Sequence, residues 1–206
     1  MKLVLASASP RRRDLLAQIG LDFDVRPVDI DETPGAARDP AILARRLARE
    51  KAEAARLLYP EPAILAADTV VWHEGKPLGK PRDAGEAMEM LTTLRGKTHD
   101  VITVVALMPA GKTAALFRHP VTSVTLRDYS NDAIAATIRH GHPFDKAGGY
   151  AIQDGDLAPV ASYHGCYCNV IGLSLYATME LLRKADIDFA AKPDLLPECA
   201  SCPLAR

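Results

Sequence analysis

Ser7-Ala8-Ser9-Pro10-Arg11-Arg12-Arg13 concentrates more anion-binding chemistry than any other stretch of the chain. Apolar residues 3–6 lead into it, and Ser9-Pro10 reads as a helix N-cap followed by the first helical residue. A strand-to-helix corner gathers unbonded backbone N–H groups and the positive end of the helix dipole at one point. Arginines in a first helical turn are electrostatically misplaced by roughly 0.3–1 kcal/mol each. Three in succession call for an anion, and phosphate oxygens match the forked guanidinium donors. The plainer alternative is a solvated basic face, or pairing with carboxylates such as Asp14.

Asp68 interrupts the apolar run Ala66-Ala67-Asp68-Thr69-Val70-Val71. A carboxylate in such a strand must be paired, bind a metal, or face a cleft, and each makes it a candidate general base or metal ligand. Glu32 belongs to the acidic cluster Asp29-Ile30-Asp31-Glu32, which attracts a hard cation or simply forms a solvated turn. Lys51 and Lys80 carry no local signal beyond their charge, and His99 in Thr98-His99-Asp100 reads as a hydrogen-bonded strand residue. Gln153 follows a glycine-containing stretch, 142–152, where backbone can approach a ligand closely; its amide both donates and accepts, as reading a base edge requires. The chain has no G-x-x-x-x-G-K-[ST], G-x-G-x-x-G or H-E-x-x-H, which disfavours the common P-loop kinases and zincins.

The four cysteines form two late pairs, Cys166-x-Cys168 and Cys199-x-x-Cys202. Without an export signal they read as unrelated thiols or as a metal or redox clip, with zinc the speculative occupant.

These residues need a scaffold. Residues 2–6, 23–29, 63–72, 100–108 and 114–127 read as strands, the last two joined at Pro109-Ala110-Gly111. Helices are expected from Pro10, Pro40, Asp83 and Ser130, and over 176–185, with Gly20 and Gly96 as stops. Residues 148–155 read as a short strand or loop, and the chain after Pro193 as irregular. Strands mixed with helices imply an α/β architecture on the α+β border, its sheet containing antiparallel pairs. The 206 residues suggest one domain, 1–192, with a cysteine-containing tail at 193–206. A formal charge of −1 argues against a nucleic-acid binder, and no apolar run approaches the ~20 residues of a membrane span, so the expected setting is cytoplasmic.

Taken in order, the segments resemble the Maf family of nucleoside triphosphate pyrophosphatases. The likeness runs from about residue 3 to 182. It is carried by Ser7-x-Ser9-Pro10-Arg11-Arg12, Asp31-Glu32, Arg49-Glu50-Lys51-Ala52, Ala67-Asp68-Thr69-Val70, Gly79-Lys80-Pro81, Lys97-Thr98-His99, Asp145-Lys146-Ala147-Gly148, Tyr150-x-Ile152-Gln153 and Asn169-Val170-x-Gly172-Leu173. The resemblance implies an elongated mixed sheet flanked by helices, Maf/ITPase-like, with a cleft between two lobes, and often a homodimer. It implies hydrolysis of a nucleoside triphosphate to monophosphate and pyrophosphate, with magnesium or manganese. By that resemblance Asp68 is the proton acceptor, and Ser7, Arg11, Arg12, Lys51 and Lys80 hold the triphosphate. Glu32 and Asp68 are the metal candidates. Arg11, Thr69 and Gln153 match the positions tied to base preference, as in the YhdE-like subgroup acting on dTTP and UTP; modified pyrimidine nucleotides remain in range. The chain departs from the pattern at Ala151, at Ser174, at Cys166 and Cys168, and in its Cys199/Cys202 tail. The competing expectations are a non-catalytic nucleotide-binding regulator linked to septum formation, and a thiol- or metal-binding variant of the fold.

Overall fold

The computed structural model describes residues 3–35, 37–190, 197–199 and 202–203. A mixed eight-stranded sheet forms the centre. Strand β1 (Leu3–Leu5) lies between β2 (Phe23–Val25) and β3 (Ala63–His73), parallel to both. From β3 onward the pairing is antiparallel, to β5 (Thr98–Met108), then β7 (Val121–Leu126), then β8 (Val160–His164). Two short strands complete it: β4 (Lys76–Leu78) folds back on β3 across the Glu74-Gly75 turn, and β6 (Leu116–Arg118) pairs with β5.

Both long strands are apolar on both faces because helices cover both faces. On one side Val4, Ile64, Ala66, Val104 and Ala106 meet helix α2 (Pro40–Leu58). On the other, Leu3, Leu5, Leu65, Val105 and Leu107 meet α1 (Pro10–Ala17), α5 (Tyr167–Ile171) and α6 (Leu175–Lys184). A third cluster joins Val71, Val101, Val124 and Leu126 to α3 (Ala84–Leu94) and α4 (Asn131–Arg139). Each fully buried leucine stabilises the fold by roughly 1.5–3 kcal/mol. The inner face of α2 also contains Ala44, Ala48, Ala52 and Ala55, all fully buried; their small side chains let the helix lie close to the sheet. That proximity is what lets Lys51, on the same helix, reach a side chain of β3.

The helix starts follow their caps. Ser9, Asp39, Asp83, Ser130 and Ser174 each accept from a backbone N–H of the first turn. Three strand expectations change. The expected strand 23–29 ends at Val25, because Pro27 has no N–H to continue the ladder. The expected strand 114–127 is two, β6 and β7, separated at His119-Pro120 and both paired to β5. Residues 148–155 form no strand; a 3-10 turn at Ala147–Gly149 opens a loop instead. Helix α5 and strand β8 carry too few residues for a periodic signal and are absent from the sequence reading. Much of the 193–206 tail lies outside the described residues, which there form a 3-10 turn, Pro197–Cys199. Among the described residues no helix is long and apolar enough to cross a membrane.

Candidate active site

Ser7, Arg11, Arg12, Glu32, Lys51, Asp68, Thr69, Lys80 and Gln153, drawn from six separate segments, all line one cleft of about 580 Å³. Its inner wall is built by β1 and β3. Ser7 follows β1 directly, and Asp68 and Thr69 are adjacent in β3, so their side chains leave the strand on opposite faces. Asp68 is only 7% exposed. Lys51 is nearly as buried, and its Nζ lies 2.6 Å from Asp68 Oδ1 and 2.6 Å from Glu32 Oε1. One ammonium therefore bridges a buried carboxylate and one at the cleft's edge.

Charge and burial compete here. Burial pushes the Asp68 carboxyl above its ordinary value, and the negative charge of Glu32 adds to that; Lys51 and Arg12 pull the other way and do not prevail. Burial also opposes ionisation of the half-buried Glu32, but there the hydrogen bond and charge of Lys51, with Lys80 and Arg12 beyond, hold the carboxyl below its usual range. The two carboxyls are thus shifted in opposite directions, Glu32 below its ordinary value and Asp68 above its own. An aspartate with raised proton affinity in a cleft is a candidate proton acceptor.

Arg12 is held from three sides. Its Nε donates to Gly172 O at 2.8 Å, Nη1 to Ser7 Oγ at 3.3 Å and Nη2 to Thr69 Oγ1 at 3.1 Å. Burial lowers its pKa, opposed by Asp68 and Glu32, yet an arginine so placed stays charged. Arg11 turns to the cleft mouth and pairs with Asp145, Nη1 to Oδ2 at 2.8 Å. Arg13 points away and pairs with Asp14 at 2.9 Å, so the triple-arginine signal resolves into two cleft cations and one solvated pair. Asp31 likewise turns out of the site; its carboxylate caps the Thr33 N–H at 2.9 Å and leaves Glu32 to face Lys51. Lys80 and Gln153 are exposed residues at the rim.

The loop carrying Gln153 is fixed to the Lys80 loop by Gly148, whose N–H donates to Gly79 O at 2.9 Å. Gly148 has φ +72, and a Cβ there would come within 3.2 Å of Val71, so both the conformation and the close approach require glycine. His99 lies outside the cleft lining. It is buried and shares a 2.6 Å hydrogen bond with Tyr150 Oη, a structural role as its strand context suggests.

Two further residues support the site: Thr103, which sequence reasoning did not single out, and Asn169, which stood in a quoted motif without an assigned role. Thr103 Oγ1 donates to Asn169 O at 2.7 Å, so its remaining capacity is to accept, and Thr69 Oγ1 is its donor at 2.9 Å. The Asn169 side chain accepts from Thr103 N and donates to Val101 O and Thr122 Oγ1, at 2.8–3.0 Å. The available signal was a lone threonine inside the apolar run Val101-Ile102-Thr103-Val104-Val105. Asp145, the Arg11 partner, stood in a quoted motif without an assigned role.

Divalent metal fits by donor chemistry. Two hard carboxylate oxygens converge on one cationic nitrogen, the arrangement a magnesium- or manganese-sized ion also satisfies. With Arg12, Lys51 and Lys80 nearby, the cleft suits a polyanion whose charge is partly carried by such an ion.

The sequence pattern described as "Maf-like protein" matches residues 2–185. Among curated relatives, "dTTP/UTP pyrophosphatase" of Thermomicrobium roseum is 51% identical over 208 residues, covering 100% of this chain and 94% of the relative. The protein of the same description from Myxococcus xanthus is 48% identical over 185 residues, covering 90% of this chain and 93% of its own. A solved nucleoside-triphosphatase / dITP/XTP pyrophosphatase from Mycobacterium abscessus covers 90% of this chain and 96% of its own, with TM-score 0.45 and 13% identity. That last likeness is too distant to bear on the chemistry.

Proposed function

The chain belongs to the Maf family, and from that membership and the cleft's chemistry we propose that it hydrolyses dTTP and UTP to the nucleoside monophosphate and pyrophosphate. The relatives' descriptions supply the substrate pair. The observation that carries the chemistry is the buried Asp68–Lys51–Glu32 bridge beside Arg12.

In this reading the phosphates enter along the strand-to-helix corner. Arg12 and Ser7 grip them from the wall, and Lys51, Lys80 and Arg11 complete the cationic lining. Asp68 accepts the proton from the water that attacks the α-phosphorus, opposite the departing pyrophosphate. Its burial strengthens it as a base; Lys51, released from Glu32 to the incoming phosphate, stabilises charge on the leaving group. Glu32 and Asp68 would hold magnesium or manganese, which neutralises phosphate charge when bound. The base would lie toward the mouth, where Gln153 presents its amide beside Arg11, while Thr69, the third position the resemblance ties to base preference, would act from the inner wall by holding Arg12. A zinc ion at the four cysteines would take no part in this chemistry, since none of them lines the cleft.

A non-catalytic regulator has no use for a buried aspartate poised to take a proton. Turnover assays with dTTP and UTP plus magnesium, with products identified, test the choice. Monophosphate with pyrophosphate is expected, and Asp68→Asn should lower kcat by ~10²–10⁴. Orthophosphate as the product, or a variant within a few-fold of wild type, would sink the assignment.

A further inference from the structure

The four cysteines of the chain come from two segments some thirty residues apart, yet all are buried and converge on one spot beneath α5. Cys168 Sγ and Cys199 Sγ are 3.0 Å apart. The Cys166 thiol is within hydrogen-bonding reach of both Cys168 and Cys202, so the sulfurs form one connected group of four. No disulfide joins them; the 3.0 Å separation is well beyond the ~2.05 Å of an S–S bond. The Cys202 N–H donates to Cys199 O at 3.1 Å, and Cys166 occupies the N-cap of α5.

Cys166 also has hydrogen-bonding neighbours other than the thiols. Cys166 Sγ lies 3.6 Å from Ser174 Oγ and accepts from the backbone N–H of Asn169. Such donors orient and stabilise metal-bound sulfur. A redox dithiol needs two cysteines with one exposed, whereas here four are sealed from solvent at 0–4% exposure. Thiols are weak hydrogen-bonding groups, and four of them packed together gain little unless a cation draws them in. In a tetrahedral site with Zn–S of ~2.3 Å the sulfurs sit about 3.8 Å apart, so the Cys168–Cys199 pair must open by less than about 1 Å.

We propose that Cys166, Cys168, Cys199 and Cys202 bind one zinc ion as a closed tetrathiolate site that fastens the tail to α5. Binding exchanges four S–H bonds for four Zn–S bonds and releases four protons, with no change of oxidation state. The clip has a consequence for the cleft. Asn169, between Cys168 and Gly172 on α5, braces Thr103, and Gly172 O receives Arg12. Zinc therefore stiffens the wall from which the phosphate-gripping arginine hangs, without touching substrate.

Full-length protein purified without chelator should contain about one equivalent of zinc per chain. Its cysteines should resist a thiol reagent until a mercurial or a strong chelator with denaturant releases the metal. Cobalt exchanged into the wild-type protein should give the intense visible bands of tetrahedral cobalt thiolate. Cys199→Ser/Cys202→Ser should lose the zinc and melt at lower temperature while hydrolysing dTTP within a few-fold of wild type below its melting point. Zinc under about a tenth of an equivalent that does not rise on incubation with zinc salt would overturn the proposal. So would a native disulfide seen by mass, or cobalt bound without the thiolate spectrum. These readouts do not depend on nucleotide turnover, so failure here leaves the pyrophosphatase reading where it stands.

Discussion

Replacing Lys51 with methionine removes the ammonium while keeping most of the aliphatic stem that packs inside α2. Two carboxylates lose a partner 2.6 Å away, but not equally. The Glu32 side chain is 49% exposed and rehydrates, so its share is that of a surface pair, about 0–1 kcal/mol. The Asp68 side chain is 9% exposed and is left as an uncompensated buried charge, for which breaking the pair costs about 3–5 kcal/mol. Arg12 remains nearby and Asp68 can take a proton, both of which place the outcome toward the lower end of that range. Urea unfolding near neutral pH in the presence of chelator should therefore show Lys51→Met destabilised by roughly 3–4 kcal/mol. Adding Asp68→Asn should recover more than half of the loss, since the orphaned charge disappears with its partner. A single-variant loss below about 1 kcal/mol, or a double variant no better than the sum of its parts, would refute the buried bridge as the organising contact.

Further outcomes follow from other contacts. Asn169→Ala should cost about 3–5 kcal/mol by urea unfolding, because Thr103 N–H, Val101 O and Thr122 Oγ1 all lose a buried partner; a loss under about 1 kcal/mol would mean that water replaces the amide. His99 is held neutral, chiefly by burial and then by His73, with its pKa lowered to about 4. The unfolded chain therefore binds the proton first, and stability present above about pH 6.5 falls as pH drops toward about 4, by roughly 3 kcal/mol. His99→Gln should flatten that portion of the stability–pH profile, and an unchanged slope would remove His99 as its source. Gln153→Glu keeps an acceptor and loses the donor, so kcat/KM for dTTP and UTP should fall roughly tenfold or more with kcat for the residual turnover less affected; equal loss for a purine substrate would detach Gln153 from base reading.

What could be read from the sequence depended on how local each cause was. Helix starts at Ser9, Asp39, Asp83 and Ser130 were legible because a cap is settled by residues within three positions of each other. Asp68 stood out because a carboxylate in an apolar strand has few ways to exist. Lys51 carried no such mark: its burial is set by the alanine face of α2 and by a β3 residue 17 positions away, neither visible in its neighbours. Only the ordered set of motifs raised it above an ordinary helix lysine. The split of residues 114–127 into β6 and β7 turned on a proline whose effect depends on whether its missing N–H faces a partner strand, a tertiary fact. The convergence of the two cysteine pairs was equally non-local: their spacing offered a metal or redox clip beside unrelated thiols and could not choose between them.

The arrangement around Arg12 explains why so many uncharged polar groups are buried behind the cleft. A guanidinium has five N–H donors. Gly172 O, Ser7 Oγ and Thr69 Oγ1 take three of them, one on each nitrogen, which leaves one donor on each terminal nitrogen among the described contacts. Two parallel donors are the fork that binds a phosphate bidentately. The three anchors are neutral, so they fix the plane of the group without cancelling its charge, as a carboxylate partner would. Thr69 can serve as an acceptor only if its own proton is committed elsewhere, and the Thr103 hydroxyl accepts it because Asn169 O takes the Thr103 proton in turn. The hydrogen-bond direction thus runs one way, from arginine through two threonines to a backbone carbonyl, and each member is satisfied in a single orientation. Arg11, by contrast, is tied to Asp145 at the mouth, so under the proposed function it would exchange that carboxylate for substrate. The inner arginine is thus held in place by neutral groups, and the outer one by a single carboxylate at the mouth.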